Sequence, residues 1–477
     1  MKKKILIYGN FNIIHPGHTR LLNFGKNLGK LYVGVFSDKI SGKSSFIDEN
    51  LRLESIKNLS VVDHSFIIND NLEKIITKIK PDIVVKGYEY ESRYNPEEKV
   101  IKKYGGKLIF SSGEILFSSQ ELINSEIKRS FPSIKISNKF IDRHKINIEK
   151  IIGYLDKIKK LNILVIGDSI IDKYIYCEAE GMSREDPALV VSPRNSETFI
   201  GGAAIVAMNA KNLGAKVDFI TIKGDDEMGQ FLKKRLEKKK IKTHFFHEGH
   251  KETSQKIRYK EGNKTLLRIN NINKSAISLE TQNKIIEKIK SLKKIDLVVY
   301  SDFNYGCLPD NLIKKLNIEF KKKKIAQVAD SQSSSQIGNI SRFKNMMLIT
   351  PTELEARLSC RNFEDGLIVL SSKLKKLAKA KNLFLTLNKE GILIDPNAKE
   401  KKFFLNDKIE AFNKSPIDVI GAGDAMFITS SLLLKCGASI WESAFLGSIS
   451  SAIQVSKIGN EPLSLNEIRN FILEIKN

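Results

Sequence analysis

Apolar and polar positions fall into two series of short buried runs separated by amphipathic stretches. In the first series KILIY (4–8), LYVGVF (31–36), SFII (65–68), DIVV (82–85) and KLIF (107–110) are short apolar runs, with helical spacing between most of them. Alternation of that kind predicts parallel strands joined by crossover helices. A second series follows: NILVIGD (162–168), VDFITIKGDD (217–226), LVVYSD (297–302), IAQVAD (325–330), MMLITPTE (346–353) and LFLTLN (383–388). Several of these runs end in an acidic or hydroxyl residue. The carboxyl ends of strands line the ligand crevice of a doubly wound sheet, so polar residues placed there are site candidates. The expected fold class is α/β, with two domains that are each a doubly wound, mainly parallel sheet. Residues 1–131 form the first and 160–477 the second. The stretch 132–159, with Pro132 and many Lys and Asn, reads as a linker plus an entry helix around Ile148–Ile158.

Length agrees with that division, since 477 residues exceed one ordinary core. No apolar run reaches the ~18–20 residues that a membrane span needs. The basic start MKKKILIYGNF runs directly into Gly9 and a histidine motif, so it reads as a first buried strand and not a targeting segment. The expectation is a cytoplasmic protein without a membrane partner. The four cysteines, Cys177, Cys307, Cys360 and Cys436, lie far apart with no CxxC pairing. They read as small buried hydrophobes rather than a zinc site or a disulfide framework. A formal net charge of +24 raises nucleic-acid binding as a possibility. The lysines, however, are spread along the whole chain, in runs such as Lys238–Lys240 and Lys321–Lys324 on amphipathic stretches. A solvated basic surface suited to phosphorylated substrates is the reading kept, with no nucleic-acid partner.

Two constellations carry chemistry. In YGNFNIIHPGHTRLLNFGKNLG (8–29), His15 and His18 stand three residues apart at the start of an amphipathic helix. Imidazoles at a helix N-terminus with open backbone N–H groups form an anion site suited to the α-phosphate of a nucleoside triphosphate. In IDVIGAGDAMFITSSLLL (417–434), Gly421, Ala422 and Gly423 form a small-residue turn ahead of a helix that carries Asp424 in its first turn. The turn can act as an anion hole for a γ-phosphoryl group, and Asp424 can act as general base on a sugar hydroxyl.

The first stretch resembles the HxGH signature of the cytidylyltransferase-like nucleotidyltransferases, and the resemblance extends to Arg52, IKPDIVVKGYEYE (79–91) and LFSSQELI (116–123). It implies His15 and His18 as catalytic, with Gly9, Phe11, Lys86, Gly87, Ser118 and Ser119 holding the nucleotide. Asn12 stands where that family usually has Asp. The second stretch resembles the ribokinase-like, PfkB-type carbohydrate kinases, which implies a small β lid on the kinase domain. GDSIIDKYI (167–175), FIGGAAIVAMNAKNLGA (199–215), SQKIRYKEGNKTLLRI (254–269), YSDFNYG (300–306) and TPTELEA (350–356) follow that family's order. The resemblance implies Asp424 as catalytic, Asp168, Asp172, Gly201, Gly202, Arg258, Arg268 and Asp302 at the sugar, and Glu355 positioning Mg2+ for ATP. Ile205 and Thr352 replace family asparagines, the first implying a changed sugar contact and the second a larger share of metal positioning for Glu355.

Within the kinases, YSDFNYG and EGMSREDPALVV (180–191) look most like the heptose 7-phosphate branch, whose members occur fused to an HxGH adenylyltransferase in bifunctional ADP-heptose synthases. Here the transferase comes first, the reverse of the usual fusion. The resemblance implies sugar phosphate and nucleoside triphosphate substrates and leaves room for a homo-oligomer. A related fusion using CTP on another sugar or polyol phosphate stays open, as does a degenerate, non-catalytic homologue.

Overall fold

The computed structural model describes residues 3–14, 16–42, 45, 47–87, 90, 94–111, 134, 136, 138–262, 264–333, 337–397 and 406–476. The chain divides into two compact units, Met1–Ser130 and Phe131–Asn477.

In the first unit five strands, β1 (Lys4–Gly9), β2 (Lys30–Phe36), β3 (His64–Ile68), β4 (Ile83–Gly87) and β5 (Lys107–Ser111), form one parallel sheet in the order β3-β2-β1-β4-β5. Successive side chains of a strand point to opposite faces. Ile5 and Ile7 therefore join Val33, Val35, Ile83 and Val85 in one core, while Leu6 and Val84 join a second core with Ile76 and Ile101. The order reverses at β1, between β2 and β4, and the HxGH stretch leaves the carboxyl end of that strand.

The second unit contains β6 (Asn162–Gly167), β7 (Ser169–Met182), β8 (Leu189–Gly202), β9 (Lys216–Ile222), β10 (Lys242–Phe246), β11 (Gln255–Glu261), β12 (Lys264–Asn271), β13 (Leu297–Asp302), β14 (Ala326–Ser331), β15 (Leu348–Ile349), β16 (Asn382–Thr386), β17 (Ile392–Asp395) and β18 (Asp407–Ile409). Nine of them make the main sheet, β10-β9-β6-β13-β14-β15-β16-β17-β18. It is parallel from β10 to β16, and β17 and β18 are antiparallel at the edge. Ile163 and Val165 face one core and Leu164 and Ile166 the other, so both faces of the sheet are covered. The remaining four strands form a small separate sheet, β12-β11-β7-β8, in which β11 lies parallel to β7.

The stretch read as linker and entry helix belongs to the second unit's core. Phe140, Ile146, Ile151, Tyr154, Leu155 and Ile158, carried by or next to the helices Asn138–His144 and Ile148–Ile158, are buried in it. His144 stacks on Trp441 with ring centroids 4.0 Å apart, and its Nε2 lies 2.5 Å from the Asp407 carboxylate. The many lysines and asparagines of this segment sit on the solvated side of an amphipathic face, and that concealed its apolar stripe.

No helix among the described residues is long and apolar enough to cross a membrane. Cys177 and Cys307 are buried, and Cys360 and Cys436 are half-buried.

Candidate active sites

In the first unit the β1 carboxyl end turns sharply. Phe11 adopts φ +50°, a left-handed conformation uncommon for a side chain of its size, and it is buried beneath Gly9. Its ring lies 5.0 Å from that of His18. His18 donates from Nδ1 to the Ile13 carbonyl at 3.1 Å, which fixes the tautomer and leaves Nε2 able to donate to a phosphoryl oxygen only from the doubly protonated ring. Asn12 is buried beside them. Arg52, fully buried, holds the turn from behind: Nη1 donates to the carbonyls of Asn10 at 2.7 Å and Phe36 at 2.9 Å, Nε donates to Ile47 at 2.7 Å, and Nη2 pairs with Asp38. One guanidinium thus ties together the carboxyl ends of β1 and β2. His15, Ser118 and Ser119 lie outside the described residues.

Lys86 and Gly87 end β4, next to β1. The Lys86 ammonium is already engaged, donating to Glu97 at 2.5 Å and to Asn95 at 2.7 Å, and it lies 4.6 Å from the centre of the Tyr90 ring. Tyr8 also donates to Glu97, at 2.5 Å. Burial works against the Glu97 charge, yet the hydrogen bonds from Lys86 and Tyr8 hold its carboxyl below the ordinary value. Burial and Glu97 together raise the Tyr8 phenol. The lysine expected to meet a nucleotide phosphate is therefore charge-matched by a carboxylate that the sequence reading did not single out.

In the second unit Gly421 takes φ +79° and opens the helix Ala422–Lys435. The Ala422 N–H closes a turn on Val419 at 3.4 Å, and the next N–H groups have no intrahelical acceptor. Asp424 is 5% exposed, and its Oδ1 has no hydrogen-bond partner among the described residues. Burial, with help from Asp172 and against Lys256, pushes its carboxyl up to about 7. Such a group is a base poised near neutrality.

Asp418, the first residue of the motif, holds the turn. Its Oδ1 accepts from the Ile420 N–H at 3.1 Å, and its Oδ2 accepts from the Gly459 N–H at 3.1 Å and from the Tyr174 phenol at 2.9 Å. Tyr174 lies on β7, so the small sheet is fastened to the anion-hole turn. Lys256, on β11 beside Asp172 in register, is buried against Phe303 and Tyr305.

Several expected sugar contacts have other occupations. The Asp168 carboxylate accepts three backbone N–H groups, from Phe303 at 3.0 Å, Tyr305 at 3.2 Å and Cys307 at 3.0 Å, so it organises the 303–307 loop. Burial and the neighbouring Asp302 raise it to about 6 despite those bonds. Asp302 accepts from Ser331 at 2.7 Å and from Arg342 at 2.6 Å. Arg258 is ion-paired with Asp172, which balances the charge of both, and it lies over the Tyr174 ring. Arg268 is its cross-strand neighbour on β12 and is exposed. Of the two arginines expected at the sugar, one is thus ion-paired and the other open to solvent.

Gly202 has φ +63°, and a Cβ there would collide with the Asp168 carbonyl. Its glycine serves the backbone turn. At Gly201 a Cβ would collide with Asp172 Oδ2, so that glycine does keep the site open. Ile205 is wholly buried in the apolar core.

Glu355, expected to position Mg2+ through water, has both carboxylate oxygens engaged by backbone donors. Its Oε2 accepts from the Thr352 N–H at 2.7 Å in a capping box, and its Oε1 accepts from the Ser333 N–H at 2.8 Å. Thr352 is the other half of that box. Among the described residues, no three His, Cys, Asp or Glu come together as a metal site.

Residues 160–466 match the pfkB family carbohydrate kinase profile, and residues 6–105 match the cytidylyltransferase-like profile. Among curated proteins the chain is similar to the bifunctional protein HldE of Campylobacter jejuni subsp. doylei, at 32% identity over 324 residues. That match covers 66% of this chain and 65% of the relative. The protein of the same name from Campylobacter fetus subsp. fetus is 30% identical over 316 residues, covering 65% of this chain and 66% of the relative. The matches thus span slightly less than two thirds of these relatives. Among solved structures, phosphofructokinase-2 from Escherichia coli aligns at a TM-score of 0.54 and 14% identity, over 66% of this chain and 99% of that one. Ribokinase from Thermotoga maritima aligns at 0.51 and 17%, with the same coverage. At such identities these two speak for the fold alone.

Proposed function

The chain belongs to the pfkB family of carbohydrate kinases, and on that premise we propose that it is a bifunctional enzyme of ADP-heptose synthesis for surface polysaccharide. One unit phosphorylates heptose 7-phosphate at carbon 1 with ATP. The other transfers an adenylyl group to heptose 1-phosphate. The observation that carries the kinase half is Asp424, a buried carboxylate with one oxygen unpartnered among the described residues, in the first turn of the helix that follows Gly421.

In the kinase step Asp424 takes the proton of the carbon-1 hydroxyl as that oxygen attacks the γ-phosphorus. The bond to the β-phosphate oxygen breaks and ADP leaves. Charge building on the transferred group meets the backbone N–H groups that follow Gly421. Asp418 and Tyr174 keep that turn in shape. Mg2+ bound with ATP would offset the charge of the phosphate chain.

In the transfer step a sugar 1-phosphate oxygen attacks the α-phosphorus of ATP and pyrophosphate leaves. His18, with His15 of the same motif, donates to the phosphoryl oxygens, and little acid–base chemistry is needed because the nucleophile is already anionic. The similarity to the bifunctional protein HldE of Campylobacter species supports two activities in one chain. Use of CTP by the transferase half is the second reading, carried by the cytidylyltransferase-like match.

Incubation with ATP, Mg2+ and D-glycero-D-manno-heptose 7-phosphate, followed by phosphorus NMR, should show a new anomeric phosphate. Supplying heptose 1-phosphate with ATP or CTP should release pyrophosphate with one of the two. Failure to phosphorylate the heptose, with turnover of another sugar phosphate, would overturn the heptose assignment.

A further inference from the structure

Asn460 follows Gly459 in the loop after the helix Ile440–Gln454 and belongs to none of the motifs above. It is 4% exposed, and its Oδ1 has no hydrogen-bond partner among the described residues. A buried acceptor left unpaired is costly, and its persistence calls for a function. Its position supplies one. A Cβ at Gly421 would lie on top of Asn460 Oδ1, so the carboxamide is packed directly against the anion-hole turn. On the other side a Cβ at Gly201 would lie 3.6 Å from Asn460 Nδ2 and collide with Asp172 Oδ2. The amide therefore bridges the glycine step that keeps the sugar side open and the turn that receives phosphate. Three residues beyond Gly421, Asp424 Oδ1 is likewise buried without a partner among the described residues, as is Gln454 Oε1, whose amide Nε2 donates to the Gly459 carbonyl at 3.2 Å behind Asn460.

Resting on the kinase reading, we infer that Asn460 is a specificity-determining residue whose carboxamide reads the hydroxyl adjacent to the one phosphorylated. Two orphan acceptors flanking one turn are the complement of a vicinal diol. Asp424 takes the reacting hydroxyl, and Asn460 accepts a hydrogen bond from its neighbour. The substrate class this selects is a sugar or polyol phosphate with free hydroxyls on both carbon 1 and carbon 2. A 2-deoxy sugar leaves Asn460 buried and unpaired and is discriminated against for that reason.

The test uses the full chain, with D-glycero-D-manno-heptose 7-phosphate and its 2-deoxy analogue as probes. Asn460→Ala should raise KM for the parent sugar roughly ten-fold, as for one lost hydrogen bond, while KM for ATP and the melting temperature hold. It should also erase the wild-type preference for the parent over the 2-deoxy form. Asn460→Ser, a smaller change, serves if the alanine variant does not fold. An unchanged sugar KM, an unchanged preference, or a parallel rise in both KM values with lost stability would each overturn the role and mark Asn460 as structural.

If the wild type accepts a hexose 6-phosphate such as mannose 6-phosphate instead, the heptose assignment falls. The same comparison with the 2-deoxy form of that hexose then decides on Asn460. A wild type that phosphorylates no sugar removes both.

Discussion

The two candidate sites handle charge in opposite ways. At the carboxyl end of β4 the cation is satisfied internally: Lys86 is bound by Glu97 and Asn95, and Tyr8 completes the carboxylate. Around the turn at Gly421, a carboxylate oxygen of Asp424 and the amide oxygen of Asn460 are buried without a partner among the described residues. At the first site, on the proposed reading, an incoming nucleotide competes with a resident anion for Lys86. The second holds unmet hydrogen-bonding capacity, which a substrate hydroxyl fills. Rearrangement of an ion pair is thus built into nucleotide transfer, whereas the kinase site is prepared in advance.

The sharpest way to break this contrast is Asp424→Asn. Loss of the general base should lower phosphoryl transfer by about 10²–10⁴ and leave nucleotidyl transfer intact. Separate assays of the two half-reactions check it, and simultaneous loss of both in folded protein would show the sites to be interdependent. Next comes His18→Ala, which removes the ring positioned by Ile13. Nucleotidyl transfer should fall by about 10²–10³ with kinase turnover unchanged.

Glu97→Gln probes the closed site more gently. Freed of its counter-charge, Lys86 should bind triphosphate several-fold more tightly, read as a lower KM. The first unit should meanwhile lose about 1.5–3 kcal/mol of stability, as for hydrogen bonds to a charged group. A higher KM would mean that Glu97 positions Lys86 instead of competing for it.

The smallest effect is on pH. Asp424 acts as a base only when ionised, so kcat/KM for phosphorylation should rise with pH through about 7. Lys256→Met should move that limb to higher pH, because Lys256 is the group that opposes the upward shift. Stability runs the other way. The folded carboxyl lies above its ordinary 3.8, so its contribution is fully present below 3.8 and is lost as pH rises through about 7. Asp424→Asn should therefore raise the melting temperature relative to the wild type most at pH 8, less at pH 5 and least below 3.8.

Both sheets were legible in the sequence because their strands are short apolar runs broken by turn residues. Asp424 was legible because a small-residue turn followed by an acid at a helix start is a restrictive pattern. What escaped depended on distance along the chain. Asp172 and Arg258 are 86 residues apart, and only the parallel register of β11 on β7 brings them together, so the arginine could not be recognised as already paired. The hold of Asp168 on the backbone of 303–307 was not legible either, because it requires β6 and β13 to be neighbours. Asn460 carried no local signal at all. The basic stretch before Ile148 misled through composition, since its apolar positions are few and buried.

The bond from Tyr174 to Asp418 has a mechanical consequence. Strands β7 and β8 form a hairpin 14 residues long on each side. Burial declines along β7 from Ser169, which is buried, to Met182, which is exposed. The phenol grips the anion-hole turn near the buried end, so the hairpin is a cantilever clamped at its root, and bending is concentrated in the outer part beyond Cys177. A swing of its tip need not disturb Gly421. A swing of its root must first break a buried bond whose acceptor also shapes the phosphate pocket, so whatever displaces Tyr174 also loosens the turn that receives phosphate.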